Sequence, residues 1–346
     1  METKVFKVDS PDSEAVAFAA SVIKSGGLVV FPTETVYGLG ADALSADAAE
    51  KIYKAKGRPS DNPLIIHIAN PRDAEKYTYT SEIYYKLAAH FMPGPLTVVM
   101  KARDIVPLKT RGGLETVAVR CPENAVARRL IELSGTTIAA PSANLSGSPS
   151  PTVAEHVIDD MDGRVEVILD GGSSDFGLES TIVKIDEDDR LTLLRPGKIT
   201  PEDLRALGFD IVVAGAVTEG MKEGEVALSP GMKYRHYAPK ATFTLLDGEF
   251  DAICEFLAEK SGQSVAFFAY EEDKCLLEEK KLDITIYTLG SKFDEKTQAK
   301  NLFRLLRVAD KNNHKEIFAP LPEMTGIGLA LYNRMIRAAA HTIKRL

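Results

Sequence analysis

Three cations fall within five residues at Lys54, Lys56 and Arg58, shortly before an apolar run. Gly57 and Pro59 prevent the segment from continuing as a helix. The simplest physical interpretation is a rigid basic loop at the mouth of a strand, where an anion could be held. Composition alone favours the other interpretation, a solvated turn of lysine and arginine.

Two further polar loops follow apolar strands. Pro32 to Gly40 is bounded by proline and glycine after a buried strand, which is a common place for a site in an α/β sheet. Pro141 to Pro151 is crowded with hydroxyls, amides and rigid residues, and it could donate many hydrogen bonds to an anionic or polar ligand at little ordering cost. Their alternative interpretations are a capping turn and a surface linker.

These polar clusters supply cations and neutral hydrogen-bonding groups at the ends of separate predicted strands. They are Thr33 to Tyr37, Lys56 to Asn62, Arg120, Ser142 to Ser150, Ser180-Thr181 and Arg195. No nucleophile elbow, nucleophilic cysteine setting or carboxylate pair for glycosyl chemistry accompanies them. Such an inventory suits phosphoryl or nucleotidyl transfer, in which an enzyme positions in-line partners and neutralises developing charge, commonly with Mg²⁺. The residues alone predict an ATP-like anion in a basic cleft.

Short apolar strands alternate with amphipathic helices and must position these clusters. In the first part of the chain, Ser180 to Ile185 and Leu191 to Arg195 form a predicted hairpin. From Ala241 onward the alternation is regular and predicts a small parallel, doubly wound sheet that ends in a helix from Ile327 to Lys344. This second part has no GxGxxG or GxxxxGK motif, so we assign it no nucleotide site.

Length and composition predict a soluble protein of about two domains. The 346 residues carry a formal net charge of −8, so any polyanion site must be a local patch. Three widely spaced cysteines form no zinc or disulfide pattern, which fits a reducing cytosol. We see no signal peptide and no stretch that approaches the ~18 apolar residues of a membrane span, so we expect a cytoplasmic protein without a membrane partner.

Lys56-Gly57-Arg58 followed by Ser142-Ala143-Asn144 resembles the KxR…SxN signature of the YrdC/Sua5 family. Further stretches that look like this family are PTETVYGLG (Pro32 to Gly40), GRPSDNPLIIH (Gly57 to His67), PGPLT (Pro93 to Thr97), APSANLSG (Ala140 to Gly147), ST (Ser180-Thr181) and LRPG (Leu194 to Gly197). The resemblance covers essentially the first 210 residues. SPGMKYRHYAP, from Ser229 to Pro239, and the α/β segment after it resemble the two-domain Sua5 form rather than the single-domain YrdC form.

The resemblance implies a YrdC-like catalytic domain over residues 1–213, an interdomain linker or flap over 214–240, and a smaller Sua5 C-terminal domain over 241–346. The implied fold class is α/β. The first domain would be a twisted mixed sheet whose helices help to form a basic cleft, and the second domain would be Rossmann-like.

The resemblance also implies an activity, that of an L-threonylcarbamoyladenylate synthase, which is a nucleotidyltransferase. L-threonine, bicarbonate or CO₂, and ATP would yield threonylcarbamoyl-AMP and pyrophosphate, in the first step of the N6-threonylcarbamoyladenosine modification at tRNA position 37. Mg²⁺ would accompany the ATP phosphates, and we assign no metal ligand to the protein. A downstream tRNA threonylcarbamoyl transferase complex is the candidate partner, and we expect no stable tRNA binding.

By the same resemblance, particular residues would meet each substrate. The residues expected to bind ATP are Lys56, Arg58, Asn62, Thr116, Ser142, Asn144, Ser150, Arg195, His236 and Tyr237. The residues expected to bind L-threonine are Thr35, His67, Arg120, Ala140 and Ser180. Lys56 and Arg58 are also the expected catalytic residues.

Three of these assignments carry their own physical argument. A guanidinium can bind a carboxylate bidentately, which suits Arg120 to the carboxylate of the substrate. His67 has a rival interpretation as a satisfied core histidine on a strand. His236 and Tyr237 would belong to a flap over ATP that excludes water from a hydrolysable adenylate, and the rival interpretation of their segment is an ordered strap between domains.

Two rival functions would use the same residues. A basic concave face could bind double-stranded RNA or tRNA, but the net charge of −8 and the Ser, Thr and Asn residues of the loops favour a small ligand. A related carbamoyl-adenylate enzyme that uses carbamoyl phosphate would carry zinc-finger-like and acylphosphatase-like modules, and the sequence has no such cysteine pattern.

Overall fold

The computed structural model describes residues 1–220, 227–230 and 236–346. The chain divides into two compact units. The first comprises Met1–Ser146 and Ser150–Tyr234, and the second comprises Gly147–Pro149 and Arg235–Leu346.

The predicted linker or flap at 214–240 is only partly described. It includes 221–226 and 231–235, which lie outside the described residues, so the prediction for the middle of SPGMKYRHYAP falls there. Along the described ranges, no helix is long and apolar enough to cross a membrane.

The described residues of the first unit are built on one sheet of eleven strands. The strands are β1 (Lys4–Lys7), β2 (Val29–Phe31), β3 (Gly38–Asp42), β4 (Ile65–His67), β5 (Leu96–Lys101), β6 (Thr116–Arg120), β7 (Ile138–Ala139), β8 (Val167–Asp170), β9 (Thr181–Ile185), β10 (Leu191–Arg195) and β11 (Ile211–Val213). Their order across the sheet is β1-β8-β2-β3-β7-β4-β6-β5-β9-β10-β11. Strands β4 and β6 run parallel whereas β5 and β6 run antiparallel, so the prediction of a mixed sheet is confirmed.

Helices connect these strands and cover the sheet. The α-helices described in the first unit are α1 (Glu14–Lys24), α2 (Ala46–Lys56), α3 (Glu82–Phe91), α4 (Ala125–Ser134), α5 (Ala154–Met161) and α6 (Pro201–Ala206). Short 3-10 helices span Pro71–Lys76 and Gly215–Val217. Helices α1 and α4 share an apolar cluster with the sheet through Val16, Ile23 and Leu130. Burial of such apolar side chains is the main favourable term in folding.

Helix α2 delivers the basic loop. Its first turn is capped by Ser45, whose hydroxyl oxygen accepts the Ala48 amide at 3.2 Å. The helix ends at Gly57, which has a φ of 62° and a ψ of 35°, the left-handed conformation that glycine adopts most readily. Lys56 is therefore the last residue of the helix, and Arg58 begins the loop.

Strands β2 and β3 form an antiparallel pair, and the polar PTET loop connects them. Phe31, the last residue of β2, pairs with Gly38. A Cβ atom at Gly38 would come within 2.9 Å of the Phe31 ring, and one at Gly40 would come within 2.7 Å. Neither position has room for a side chain, so the backbone of β3 lies directly against the Phe31 ring.

The part of the second unit that the structure describes is a five-stranded sheet with helices. Its described strands are β12 (Thr242–Asp247), β13 (Val265–Tyr270), β14 (Thr285–Gly290), β15 (Glu316–Pro320) and β16 (Ile343–Arg345). Its described helices are α7 (Phe250–Glu259), α8 (Glu271–Glu279), α9 (Glu295–Lys311) and α10 (Gly328–Ala338). The order is β14-β13-β15-β12-β16, and every pair is parallel. The prediction of a Rossmann-like second domain is confirmed.

The predicted terminal helix from Ile327 to Lys344 is wrong at its C-terminal end. Helix α10 stops at Ala338, because Ala340 and His341 adopt positive φ angles of 47° and 62° that a right-handed helix does not allow. The residues after this turn form β16, which pairs with β12 at the edge of the sheet. The apolar helical spacing of α10 gave no signal of this break.

Candidate active site

Three neighbouring strands place a row of polar side chains at one level of the first unit's sheet. His67 on β4 lies opposite Arg120 on β6, and Arg120 lies opposite Thr97 on β5. Paired residues on adjacent strands project from the same face of a sheet. All three side chains are buried. The sequence singled out His67 and Arg120 but missed Thr97, although Thr97 ends the PGPLT stretch.

His67 is held as a neutral imidazole. Its Nδ1 lies 3.2 Å from the carbonyl oxygen of Ile65, and its ring meets the Phe31 ring edge-on with centroids 6.0 Å apart. Burial lowers the pKa of His67 to about 3, and the charge of Arg120 acts in the same direction. At neutral pH the one N–H of the ring is assigned to Nδ1, where it donates to the Ile65 carbonyl oxygen, and Nε2 is left as an acceptor without a positive charge.

Arg120 forms a buried ion pair with Glu34. Its Nη2 donates to Glu34 Oε1 at 2.6 Å, and both residues are only 4% exposed. Burial alone raises the pKa of Glu34, but the charge of Arg120 and its hydrogen bond outweigh burial and hold the pKa below its usual range. The carboxyl group is therefore ionised at neutral pH. Sequence reasoning did not single out Glu34, although it is the one acidic residue of PTETVYGLG.

The loop that carries Glu34 and Thr35 is held by hydrogen bonds. The Thr33 hydroxyl donates to the Val36 carbonyl oxygen at 2.6 Å and lies 2.9 Å from the Thr35 hydroxyl. The Phe176 amide donates to the Glu34 carbonyl oxygen at 3.0 Å. These bonds fix the backbone that presents Glu34 and Thr35, which limits the ordering cost when a ligand binds.

Ser180, the residue just before β9, contacts this row. Its hydroxyl lies 2.8 Å from the Thr97 hydroxyl. Arg195, at the end of β10, donates from Nε to the Ser180 carbonyl oxygen at 3.0 Å and from Nη2 to the Ser180 hydroxyl oxygen at 3.1 Å. The structure thus brings together Ser180 and Arg195, which the resemblance assigned to threonine and to ATP respectively.

Lys56 connects the basic loop to the polar loop that follows β7. Its Nζ donates to the carbonyl oxygens of Ser142 and Asn144, each at 2.5 Å, and to Asn144 Oδ1 at 3.4 Å. The Ser146 amide donates back to the Lys56 carbonyl oxygen at 2.9 Å. The KxR and SxN halves of the signature are therefore in direct contact. The ammonium group fastens the second loop, and its predicted role toward phosphate stays a prediction.

Arg58 and Asn62 belong to one compact turn. Arg58 Nη2 donates to the carbonyl oxygens of Asn62 at 3.3 Å and Pro63 at 3.1 Å. The Tyr53 hydroxyl also donates to the Asn62 carbonyl oxygen, at 3.2 Å. Both Arg58 and Asn62 are buried. The interpretation of this segment as a turn with solvated cations is therefore wrong for Lys56 and Arg58, which are buried. It is right for Lys54, which is exposed.

The remaining predicted residues of the first unit, Ser150, Ala140 and Thr116, lie in different segments of the chain. The Ser150 hydroxyl donates to the buried Glu179 carboxylate, a residue that sequence reasoning missed. The Ala140 amide donates to the Ile65 carbonyl oxygen at 2.9 Å. Thr116 starts β6 whereas Arg120 ends it, so their Cα atoms are about 13 Å apart along the strand. The structure does not bring Thr116 next to Arg120.

His236 and Tyr237 belong to the second unit. The Tyr237 ring stacks on Phe303 with centroids 5.2 Å apart, and the Arg334 guanidinium carbon lies 5.6 Å from the Tyr237 centroid. The His236 ring lies 5.6 Å from the Tyr237 ring. These contacts describe an ordered aromatic group within that unit, and the predicted flap over ATP stays a prediction.

The carboxylates of the first unit fit a metal ion that takes most of its ligands from a bound substrate. In the part of the chain that the structure describes, no group of three or more His, Cys, Asp or Glu residues is placed to hold a metal ion. Mg²⁺ is usually bound through one or two carboxylates together with substrate phosphates. Glu179, whose carboxylate is buried beside Ser150, is a side chain of the kind that can ligate Mg²⁺.

Fold and site together define an α/β protein with a large mixed sheet, a smaller parallel sheet, and a buried group of arginine, lysine, serine and threonine side chains. Residues 21–197 match the Sua5_yciO_yrdC family, described as "Telomere recombination". Residues 199–340 match a second family, described as "Threonylcarbamoyl-AMP synthase, C-terminal domain". The chain belongs to the Sua5/YciO/YrdC family and has its two-domain Sua5 form, which confirms the resemblance.

Relatives match over the whole length. The threonylcarbamoyl-AMP synthase of Pyrococcus abyssi is 43% identical over 338 residues, which cover 95% of each chain. The threonylcarbamoyl-AMP synthase of Bacillus subtilis is 42% identical and covers 100% of each chain. The crystal structure of Pyrococcus abyssi Sua5 complexed with L-threonine superposes with a TM-score of 0.90 at 40% identity, over 99% of this chain and 100% of that one.

Proposed function

We propose that the chain is a threonylcarbamoyl-AMP synthase that transfers the adenylyl group of ATP to a carbamate of L-threonine. The observation that carries the proposal is the similarity, along both domains, to a Sua5 protein crystallised with L-threonine. The buried group of His67, Arg120 and Ser180 supports it, because these side chains offer a cation and neutral hydrogen-bonding groups to a small polar molecule.

The threonine carboxylate is proposed to bind Arg120. A guanidinium has five N–H donors, and one of those of Arg120 is engaged by Glu34. The remaining donors can meet a carboxylate in a charge-assisted pair. His67, as a neutral imidazole, and the Ser180 hydroxyl supply hydrogen bonds, and Thr35 and the Ala140 backbone complete the proposed pocket.

ATP is proposed to bind across the two loops that Lys56 connects. The residues proposed for ATP are Lys56, Arg58, Asn62, Thr116, Ser142, Asn144, Ser150 and Arg195, with His236 and Tyr237 kept from the sequence prediction. Because Lys56 binds carbonyl oxygens of residues 142 and 144, we assign it two tasks: to hold that loop in place and to supply positive charge near the phosphates. Mg²⁺ is proposed to accompany ATP, bound mainly by phosphate oxygens.

The proposed reaction needs no covalent enzyme intermediate. The threonine ammonium first loses a proton to solvent, and the free amine then attacks the carbon of CO₂, so that the C–N bond forms and a second proton leaves to give a carbamate. With bicarbonate the same C–N bond forms and water leaves. A carbamate oxygen then attacks the α-phosphorus of ATP. The bond between the α-phosphorus and the oxygen that bridges it to the β-phosphorus breaks, and pyrophosphate leaves. The protein contributes by positioning the two substrates in line and by placing cations near the charge that develops. The product is proposed to pass, in the cytoplasm, to an enzyme that transfers its threonylcarbamoyl group to tRNA.

Pyrophosphate release tests the proposal. With ATP, Mg²⁺ and bicarbonate present, release should depend on added L-threonine. Lys56→Ala should lower the turnover by about 100-fold, because it removes a preorganised positive charge and the support of the second loop. Lys54→Ala is the matched control, since Lys54 lies on the same helix and is exposed, and it should keep wild-type turnover.

Two results would contradict the proposal at different levels. Pyrophosphate release that is indifferent to threonine would reject the assigned activity. Full turnover of the Lys56→Ala protein would reject the role of Lys56 and leave the activity in place.

A further inference from the structure

The hydrogen-bonding groups of the Glu34–Arg120 ion pair are only partly bonded. Glu34 Oε1 accepts from Arg120, and the backbone N–H groups of Glu34 and Glu123 lie near enough to the carboxyl to help lower its pKa. Among the described residues, Glu34 Oε2 and Arg120 Nε make no hydrogen bond of normal geometry although both atoms are buried. Buried polar atoms are bonded in the great majority of cases, and the exceptions often mark the place of a water or a ligand. One anion and one cation, each with an unbonded atom, therefore lie side by side in the proposed threonine pocket.

The charges of this pair are complementary to those of a free α-amino acid. An amino acid at neutral pH carries a carboxylate and an ammonium group on one carbon atom. We infer that Glu34 binds the α-ammonium group through Oε2 while Arg120 binds the carboxylate, and that Glu34 thereby selects α-amino acids over α-hydroxy acids. This inference rests on the proposed function, and it adds a specificity-determining residue that the sequence did not single out.

The surroundings of Glu34 suit binding rather than proton abstraction. Arg120 keeps the carboxyl ionised and makes it a weak base. The hydrogen bonds of Thr33 and of the Phe176 amide fix the loop backbone on both sides of Glu34. A rigid carboxylate that is ionised without a ligand can meet an ammonium at little reorganisation cost.

A binding comparison separates ammonium recognition from mere support of Arg120. Calorimetry would measure L-threonine and the 2,3-dihydroxybutanoate of the same stereochemistry, which keeps the carboxylate and replaces the amine by a hydroxyl. Glu34→Gln should weaken threonine binding by about 30-fold, the effect of losing one charge-assisted hydrogen bond. It should leave the affinity for the hydroxy acid within about 3-fold. Glu115→Gln, which removes an exposed carboxylate from the residue just before β6, should change neither affinity.

The outcomes are distinct. Equal weakening of both ligands by Glu34→Gln, or unchanged threonine binding, overturns the inference while threonine-dependent pyrophosphate release by the wild type still supports the proposed function. A wild-type protein that binds neither ligand and releases no pyrophosphate overturns both. If Glu34→Gln does not fold, Glu34→Asp carries the test: it keeps the charge with a shorter reach, so it should weaken threonine alone, and equal weakening of both ligands overturns the inference.

Discussion

At the scale of residues, the site is organised by charges that are buried together. Arg120 is matched by Glu34, and His67 beside it stays neutral, so the pocket does not accumulate an unpaired positive charge. An isolated buried charge costs several kcal/mol, whereas a paired and hydrogen-bonded one is tolerated. The pair of Glu34 and Arg120 presents one charge of each sign, which suits a zwitterion, and the neutral ring of His67 adds no positive charge beside it.

The neutrality of His67 predicts how stability changes with pH. In the unfolded chain His67 should titrate near 6.5, whereas burial lowers its pKa to about 3 in the folded protein. Its contribution to the free energy of unfolding is therefore complete above about pH 6.5 and is lost as the pH falls toward 3. Because of this residue, the free energy of unfolding of the wild type should fall by about 2 kcal/mol between pH 7 and pH 5, and the His67→Asn variant should lack that decrease.

Urea unfolding at pH 7, 6 and 5 measures the effect. His314 and His341 also have lowered pKa values because of burial, and they contribute equally to both proteins, so the difference between the two slopes isolates His67. Glu34, whose pKa is lowered, loses its contribution only below this range. Identical slopes in the wild type and the variant would show that His67 is not held neutral by the fold.

At the scale of elements, the end of α2 decides where the site's loops meet. Lys56 is the last helical residue, Gly57 turns the chain in the left-handed conformation, and Arg58 folds onto the loop that follows. The bonds from Lys56 to Ser142 and Asn144 then join two loops that are far apart in sequence. The spacing of cations, glycine and prolines predicted the turn, but only the family signature predicted its partner loop.

Alanine substitutions at two glycines distinguish the effect of this turn on catalysis from its effect on stability. Gly57 and Gly208 have φ angles of 62° and 79°, and a Cβ at either would meet no heavy atom of the described residues within 4 Å. Alanine at either position should lower the free energy of unfolding by about 1–2 kcal/mol through backbone strain. Gly57→Ala should also raise the KM for ATP several-fold, whereas Gly208→Ala, beyond α6, should leave it unchanged. Indistinguishable kinetics of the two variants would contradict the role of this turn.

At the scale of the whole molecule, alternating apolar strands and helices predicted the α/β class and the parallel second sheet, because each element carries its period in its own residues. The order of eleven strands could not be predicted in this way, since it depends on pairings between distant segments. The same limit hid Glu34 from sequence reasoning, because its partner Arg120 is 86 positions away. The end of α10 was missed because Ala340 and His341 are not residues that signal a left-handed turn.

The most direct test of the proposed activity is to identify the product. The protein would be incubated with ATP, Mg²⁺, tritiated L-threonine and ¹⁴C-bicarbonate, and the nucleotides would be separated at once and analysed by mass spectrometry. The proposed activity predicts one adenine-containing species that carries both labels in equal amounts and has the mass of threonylcarbamoyl-AMP. A nucleotide product that carries the tritium label without ¹⁴C, or AMP or ADP with neither label, would contradict it.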